Sequence, residues 1–320
     1  MNVVTESFIA HSENQNRQYI DAQALLRAHT QALKAAGEVR GSMIWRELRG
    51  VRYLIRTSAA SAQKTIGPDS DVTRKIFADF MDRKKASVER VKALSARMLE
   101  QRKLNKVYRL GRTPNVVVKI LQSLASAGLA DKFLTVGTHA MYAYESACGV
   151  MVAPDALATK DLDLLFDSRK RLAFVSTLQK LDTSLIGVLR KADPSFQVMR
   201  DQLQTAVNND GFEVDVIRRV ATEGDPHPLR MSDDENDFWA VQVPSGQEML
   251  SGRLFEQLVV STSGEMATMR TLHPLDFVRI KQALGNKPQR DALKRPKDLL
   301  QAKLVQQLWN EWLCHRQDAI

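Results

Sequence analysis

Asp161, Asp163, Glu213 and Asp215 are the residues of this sequence whose types and spacing could do chemistry. The run Asp161-Leu162-Asp163-Leu164-Leu165-Phe166-Asp167 reads as a strand, so Asp161 and Asp163 leave one face while Leu162 and Leu164 enter a core. Two anions about 5–7 Å apart repel each other, and a strand buried on one side avoids that cost unless a cation sits between them. Magnesium, or manganese in its place, takes carboxylate and phosphate oxygens in octahedral geometry and suits such a pair. In Phe212-Glu213-Val214-Asp215-Val216-Ile217 the acids again alternate with apolar residues and share a face. If this strand pairs beside the first, three carboxylates converge, with Glu213 a rival to Asp215 for the third position. Asp-x-Asp alone is common by chance; three carboxylates on neighbouring strands are what two-metal phosphoryl transfer requires.

The elements around the acids sharpen that reading. Phe133-Leu134-Thr135-Val136 reads as a buried strand broken by Gly137; Thr138 can cap a helix from about His139 to Cys148, and Gly149 closes it. A glycine after a strand lets backbone approach a phosphate, and the following helix N-terminus offers unpaired N–H groups to the anion. His139, in the first turn, could hydrogen-bond phosphate as a neutral imidazole. Tyr142 and Tyr144 could stack a base, with core packing the better assignment, and Trp239, Trp309 and Trp312 read as packing residues. The order strand, Gly-Thr, helix, Asp-x-Asp strand, later strand with Asp carries more information than any one piece.

The chain that must hold this order has 320 residues, of which 44% are hydrophobic and 26% charged, with 15 Gly and 10 Pro. This excludes a disordered or low-complexity chain and predicts two or three packed units. No apolar run approaches the roughly 20 residues of a membrane span, Met1 to Arg17 lacks a signal-peptide core, and two cysteines form no disulfide framework, which together predict a soluble cytoplasmic protein. Lys and Arg exceed Asp and Glu by 46 to 37, a net +9 that favours an anionic partner.

Along the chain, residues 14–60 read as helical with a short strand at Val51–Arg56. Thr57–Asp71 reads as a loop and a long helix starts near Val72. Between Arg83 and Arg112 stand eleven Lys or Arg against Glu89 and Glu100, either a solvated helix face or a surface for a polynucleotide backbone. Thr113-Pro114 opens a helix that stops at Gly128, and Leu185–Leu189 reads as a strand before Arg190 and Lys191, which could meet nucleotide or acceptor. Asn208-Asn209-Asp210-Gly211 turns one hairpin, Leu254–Val260 and Met266–Thr271 form another, and the tail is helical from Pro274.

Val136-Gly137-Thr138, Asp161-Leu162-Asp163 and Val214-Asp215-Val216 together resemble the nucleotidyltransferase fold shared with DNA polymerase beta. More closely, Val136–Ala140, Tyr144-Glu145, Thr159–Asp163 and Gly211–Asp215 resemble the GSU2403-type bacterial group within it, as do Tyr53-Leu54, Gly67-Pro68, His273–Phe277 and Lys294–Ala302, so that the likeness spans about residues 45 to 305. The resemblance implies an α+β fold: a mixed-sheet catalytic core at 131–272, a mainly helical N-terminal region with the basic helix at 1–130, and a C-terminal helical region at 273–320. It implies that Asp161 and Asp163 hold both metal ions and that Asp215 binds the catalytic one and helps activate an acceptor hydroxyl. Gly137 and Thr138 would hold the triphosphate, with Lys281 in reach of it. Two departures stand out: Gly-Thr replaces the commoner Gly-Ser, and the 23 positions from Thr138 to Asp161 make room for an inserted loop near Pro154.

The implied activity is magnesium-dependent transfer of NMP from an NTP to a hydroxyl. The basic helix favours RNA, such as a tRNA end, as acceptor, with a protein hydroxyl or a small molecule as the other acceptor classes, and relatives that act as toxins suggest an antitoxin or other protein partner. The alternative is a catalytically inactive member that binds nucleic acid or regulates, with Thr113–Ala130 in a helix-turn-helix-like unit.

Overall fold

The computed structural model describes residues 8–58 and 61–315; the ends of the expected terminal regions, 1–7 and 316–320, and residues 59–60 of the expected loop lie outside them. The chain divides into two compact units. One is formed by residues up to Gln18 with those from Asn105 onward, the other by Tyr19–Leu104.

The smaller unit contains most of the helix Glu13–Glu38, a three-stranded antiparallel sheet, and nearly all of the helix Asp71–Val107. The sheet corrects the sequence reading twice. Ile44, Trp45 and Leu48 belong to a strand, Ser42–Leu48, not to a helix, and the expected loop holds a third strand, Gln63–Pro68. The cause is the two-residue connection Arg49-Gly50, at φ +52° and +77°, which joins Leu48 directly to Val51. Both central residues in the left-handed region make the turn whose twist matches a tight hairpin. Once that hairpin forms, Trp45 packs on Phe77 and Arg56 lies over Phe80, so the sheet covers the first turns of the long helix.

The larger unit is an α+β fold built on a mixed sheet. Its main path runs Leu229–Arg230, Trp239–Val243, Glu213–Arg219, Asp161–Phe166, Phe133–Val136, while Thr205–Val207 pairs with the other half of the Glu213 strand. The Asp161 and Glu213 strands are parallel, and the Phe133 strand is antiparallel to its neighbour. Alternation sorts their side chains. Leu162, Leu164, Phe166, Val214 and Val216 enter a large core with the helices Asn115–Ser126, Met141–Cys148, Arg171–Leu181 and Leu185–Arg190. Leu134, Val136, Leu165 and Ile217 enter a smaller one with Met249, Leu250, Leu272 and Ile280. Each such fully buried aliphatic side chain contributes about 1.5–3 kcal/mol.

Leu185–Arg190 is helix where a strand was expected. Ser184 Oγ accepts from the Gly187 N–H, and the buried Asp237 carboxylate accepts from the N–H groups of Leu185 and Ile186. These caps satisfy the first turn of an apolar run whose length alone did not decide its structure. The two expected threonine caps do not form: Pro114 stands at the start of the Asn115 helix without a side-chain cap, and Gly137–Ala140 is a 3₁₀ turn leading into the helix Met141–Cys148. Gly149 ends that helix at φ +66°, as expected. The hairpin Leu254–Val260 with Met266–Leu272 and the helices Pro274–Gly285 and Lys294–Leu308 complete the unit. Among the described residues no helix is long and apolar enough to cross a membrane.

Candidate active site

The parallel pairing of the Asp161 and Glu213 strands sets Asp163 opposite Asp215 and Asp161 opposite Glu213. Neighbouring strands lie about 4.8 Å apart, so four acids occupy one small square on the face that carries Leu165 and Ile217 further along. The cost is visible in their protonation. Burial, then the charges of Asp161 and Asp215, pushes the Asp163 carboxyl up to about 7. Asp215 is also raised, first by burial and then by Asp161, although its Oδ1 accepts a 2.5 Å hydrogen bond from Thr205 Oγ1. In the rotamers seen, among the described residues, no three His, Cys, Asp or Glu side chains stand close enough to hold an ion.

Gly137 backs onto this square. Its φ is +67°, and a Cβ there would fall well inside contact distance of Asp163 Oδ2. The positive φ favours glycine, whose missing Cβ also leaves room for the carboxylate, and the strand Phe133–Val136 stops just before it.

Asp161, Asp163 and Glu213 line an open cleft of about 460 Å³ with Gly137, Thr138, Thr159, Lys160, Gly211, Lys281, Arg290, Lys294, Lys297 and Asp298. Five cations therefore face it. Lys281 Nζ donates to Asp298 Oδ1 at 2.7 Å and Arg290 Nε to Asp298 Oδ2 at 2.8 Å. Burial pulls the Asp298 carboxyl upward, but these two partners outweigh it and hold it below the ordinary range. Burial, with help from Lys281 and Lys294 and against Asp161 and Asp298, draws Lys297 downward. Thr138 Oγ1 accepts from Gln301 Nε2 at 3.0 Å, the same nitrogen donating to the Ala156 carbonyl at 2.7 Å.

Of the residues singled out in the sequence, the structure brings Asp161, Asp163, Glu213, Gly137, Thr138 and Lys281 to the cleft, whereas Asp215 stands beside Asp163 on the neighbouring strand and is not among the lining residues. His139 does not line it. Its ring is buried between Tyr142 and Phe212, neither ring nitrogen has a hydrogen-bond partner, and burial reinforced by Lys297 lowers it to about 4, so it is neutral. Arg190 and Lys191 are likewise outside it, Arg190 Nε donating to the Phe196 carbonyl. Tyr142 and Tyr144 are core residues, the latter donating its hydroxyl to the Leu272 carbonyl. Trp309 packs against His273 and Trp312 against Phe8.

Residue-by-residue reasoning missed Lys160, Arg290, Lys294, Lys297, Asp298 and Gln301. The signal existed: 294, 297, 298 and 301 are spaced to share one face of a helix, and charged or amide side chains on a single face of an otherwise half-apolar helix mark something other than solvent. Arg112 was counted among the basic helix residues, but it belongs to a buried network. It donates to Glu145, whose Oε1 also accepts from the Val152 N–H, and so ties the helix after Gly-Thr to the strand Val150–Val152.

A family model described as nucleotidyltransferase matches residues 115–318, nearly two thirds of the chain and almost all of the larger unit. Neither the curated proteins nor the solved structures give a match.

Proposed function

The chain belongs to the nucleotidyltransferase family, and from that premise we propose that it is a divalent-cation-dependent enzyme of the GSU2403-type group that moves NMP from an NTP to a hydroxyl of RNA, in the cytoplasm. The observation that carries the reading is the square of acids, three of which (Asp161, Asp163 and Glu213) line a cleft with five cations. The donor set fits magnesium or manganese: all its groups are hard oxygens, and Asp163 is driven toward protonation by burial and then by like charges, which a cation would relieve. Asp161 and Asp163 would hold both ions, with Asp215 on the ion nearer the acceptor. Such an ion, when bound, neutralises phosphate charge and lowers the pKa of a hydroxyl.

The chain's own groups do the rest. Lys281, Arg290, Lys294 and Lys297 bind the β- and γ-phosphates, and Thr138 donates its hydroxyl to them. The acceptor oxygen attacks the α-phosphorus, its proton passes toward Asp215, and the α–β bridging bond breaks to release pyrophosphate. The catalytic core of this reading is 131–272, and 273–320 supplies the cationic wall.

RNA as acceptor is supported by where the charge lies. Residues 19–104 hold 18 Lys and Arg against 9 Asp and Glu, so the whole net +9 belongs to that unit, and the remainder balances at 28 and 28. Incubation with each α-labelled NTP, magnesium or manganese, and total bacterial RNA tests the assignment, with Asp161→Asn/Asp163→Asn as control. Label on RNA that the control does not give is the expected outcome; transfer retained by the folded double variant sinks the reading. RNA binding without turnover for any NTP favours the regulatory alternative.

A further inference from the structure

Gln301 is fully buried on the helix Lys294–Leu308, and its amide orientation is fixed by chemistry. The Ala156 carbonyl can only accept, so the atom 2.7 Å from it is the –NH₂ nitrogen, and that nitrogen's second hydrogen points at Thr138 Oγ1, 3.0 Å away. The Thr138 hydroxyl is therefore an acceptor toward the protein. Its own hydrogen is left to donate on the cleft side, because Thr138 lines the cleft. A hydroxyl held this way has one lone pair occupied and its O–H free to donate to whatever occupies the site. That polarity suits an anion.

The anchor is also geometric. Ala156 belongs to the segment between Thr138 and Asp161, in the 3₁₀ turn Pro154–Ala156, so one amide nitrogen ties the C-terminal helix to both the Gly-Thr turn and that segment. Lys297, one turn earlier on the same helix, donates to the Ala158 carbonyl at 2.7 Å and holds the segment from a second point. The Gln301 Oε1 has no partner among the described residues. A buried acceptor without a partner carries a desolvation cost that a methionine or leucine at this position would not.

We propose that Gln301 is a positioning residue that sets the Thr138 hydroxyl as a phosphate donor and thereby controls affinity for the nucleotide's triphosphate. The proposal rests on the reading of the cleft as a nucleotide site. The test uses the full chain and inorganic tripolyphosphate with magnesium, a probe independent of base, and measures Kd by calorimetry. Gln301→Met weakens binding roughly tenfold, as loss of an oriented hydrogen bond to a charged group does. In a Thr138→Val background the same substitution changes Kd less than twofold, because no hydroxyl remains to orient.

Equal loss in both backgrounds means that Gln301 acts through the fold and overturns the proposal, as does no loss in either. Melting curves check that each variant folds. Should Gln301→Met not fold, Thr138 variants decide: Thr138→Ser keeps the affinity within about twofold while Thr138→Val loses about tenfold, and a valine variant that binds like the parent removes the donor role. Failure of the parent chain to bind tripolyphosphate at all would instead overturn the nucleotide-site reading.

Discussion

The smaller unit carries twice as many basic as acidic residues and keeps them apart by helix face, whereas the larger unit is neutral and crowds like charges together. On the long helix, Arg83, Arg90 and Arg97 recur every seven residues, about 10.5 Å apart along one exposed stripe, while Asp82, Glu89 and Glu100 follow another. In the larger unit, charge is local and buried: Asp163 sits against Asp161 and Asp215, Asp298 is gripped by Lys281 and Arg290, and Glu145 by Arg112. Net charge and charge arrangement thus report different things. A long-range field attracts a polyanion but specifies little; a few opposed charges in a low-dielectric cleft define a reaction.

The largest effect that breaks this comparison comes from the acids. Asp161→Asn/Asp163→Asn lowers nucleotide transfer by roughly a thousandfold or more, since the carboxylates that would hold the divalent cation are lost. RNA affinity, measured by fluorescence anisotropy, stays within about twofold. A large loss of RNA binding in this variant would mean that the neutral unit also captures the acceptor. Next is Asp298→Ala, which leaves Lys281 and Arg290 facing each other without their anion. Removing one partner of a buried ion pair costs about 3 kcal/mol, so chemical denaturation should show a clear loss of stability, and added phosphate should restore part of it.

The smaller unit answers to a different measurement. Arg83→Gln/Arg90→Gln/Arg97→Gln should weaken single-stranded RNA binding about ten- to a hundredfold near 0.1 M salt and lower the slope of log K against log salt by about 2, at roughly 0.7 for each phosphate that is no longer neutralised. Tripolyphosphate binding in the cleft should not change. An unchanged slope would identify the stripe as a solvated helix face and assign acceptor binding to another surface.

What the sequence disclosed follows from the range of the forces involved. The Asp-x-Asp strand, the Gly-Thr break and the later Asp strand were legible because side-chain alternation and glycine's freedom at φ +67° act locally. The parallel register that sets Asp163 against Asp215 is consistent with alternation but is fixed only by packing on both sheet faces. Asp298 and Gln301 left only the signal of a shared polar helix face; what each does there was not legible, because the partners that place them in the site lie far off in sequence: Lys281 for one, Ala156 and Thr138 for the other. Leu185–Arg190 failed as a strand because its decisive cap, Asp237, lies some fifty residues downstream. Ser42–Leu48 failed as a helix because the pattern of apolar residues was ambiguous and the Arg49-Gly50 turn settled it.

The smallest effect separates the two units by pH. Asp163 rises from 3.8 to about 7 in the folded chain, so the native state holds this proton more tightly than the unfolded state. Its contribution to stability is therefore complete below about pH 3.8 and is lost as pH climbs through about 7. A divalent cation competes with that proton. Magnesium should raise the melting temperature by a few degrees near pH 8 and by less than about one degree near pH 5, because at the lower pH the ion must displace a proton that folding itself favours. In Asp163→Asn both trends should flatten together: the loss of stability across this window and the pH-dependent gain from magnesium have the same origin. If the magnesium effect kept its pH dependence in that variant, the ion would be answering to another carboxylate, and Asp215, whose pKa is also raised by burial and by Asp161, would be the first to replace.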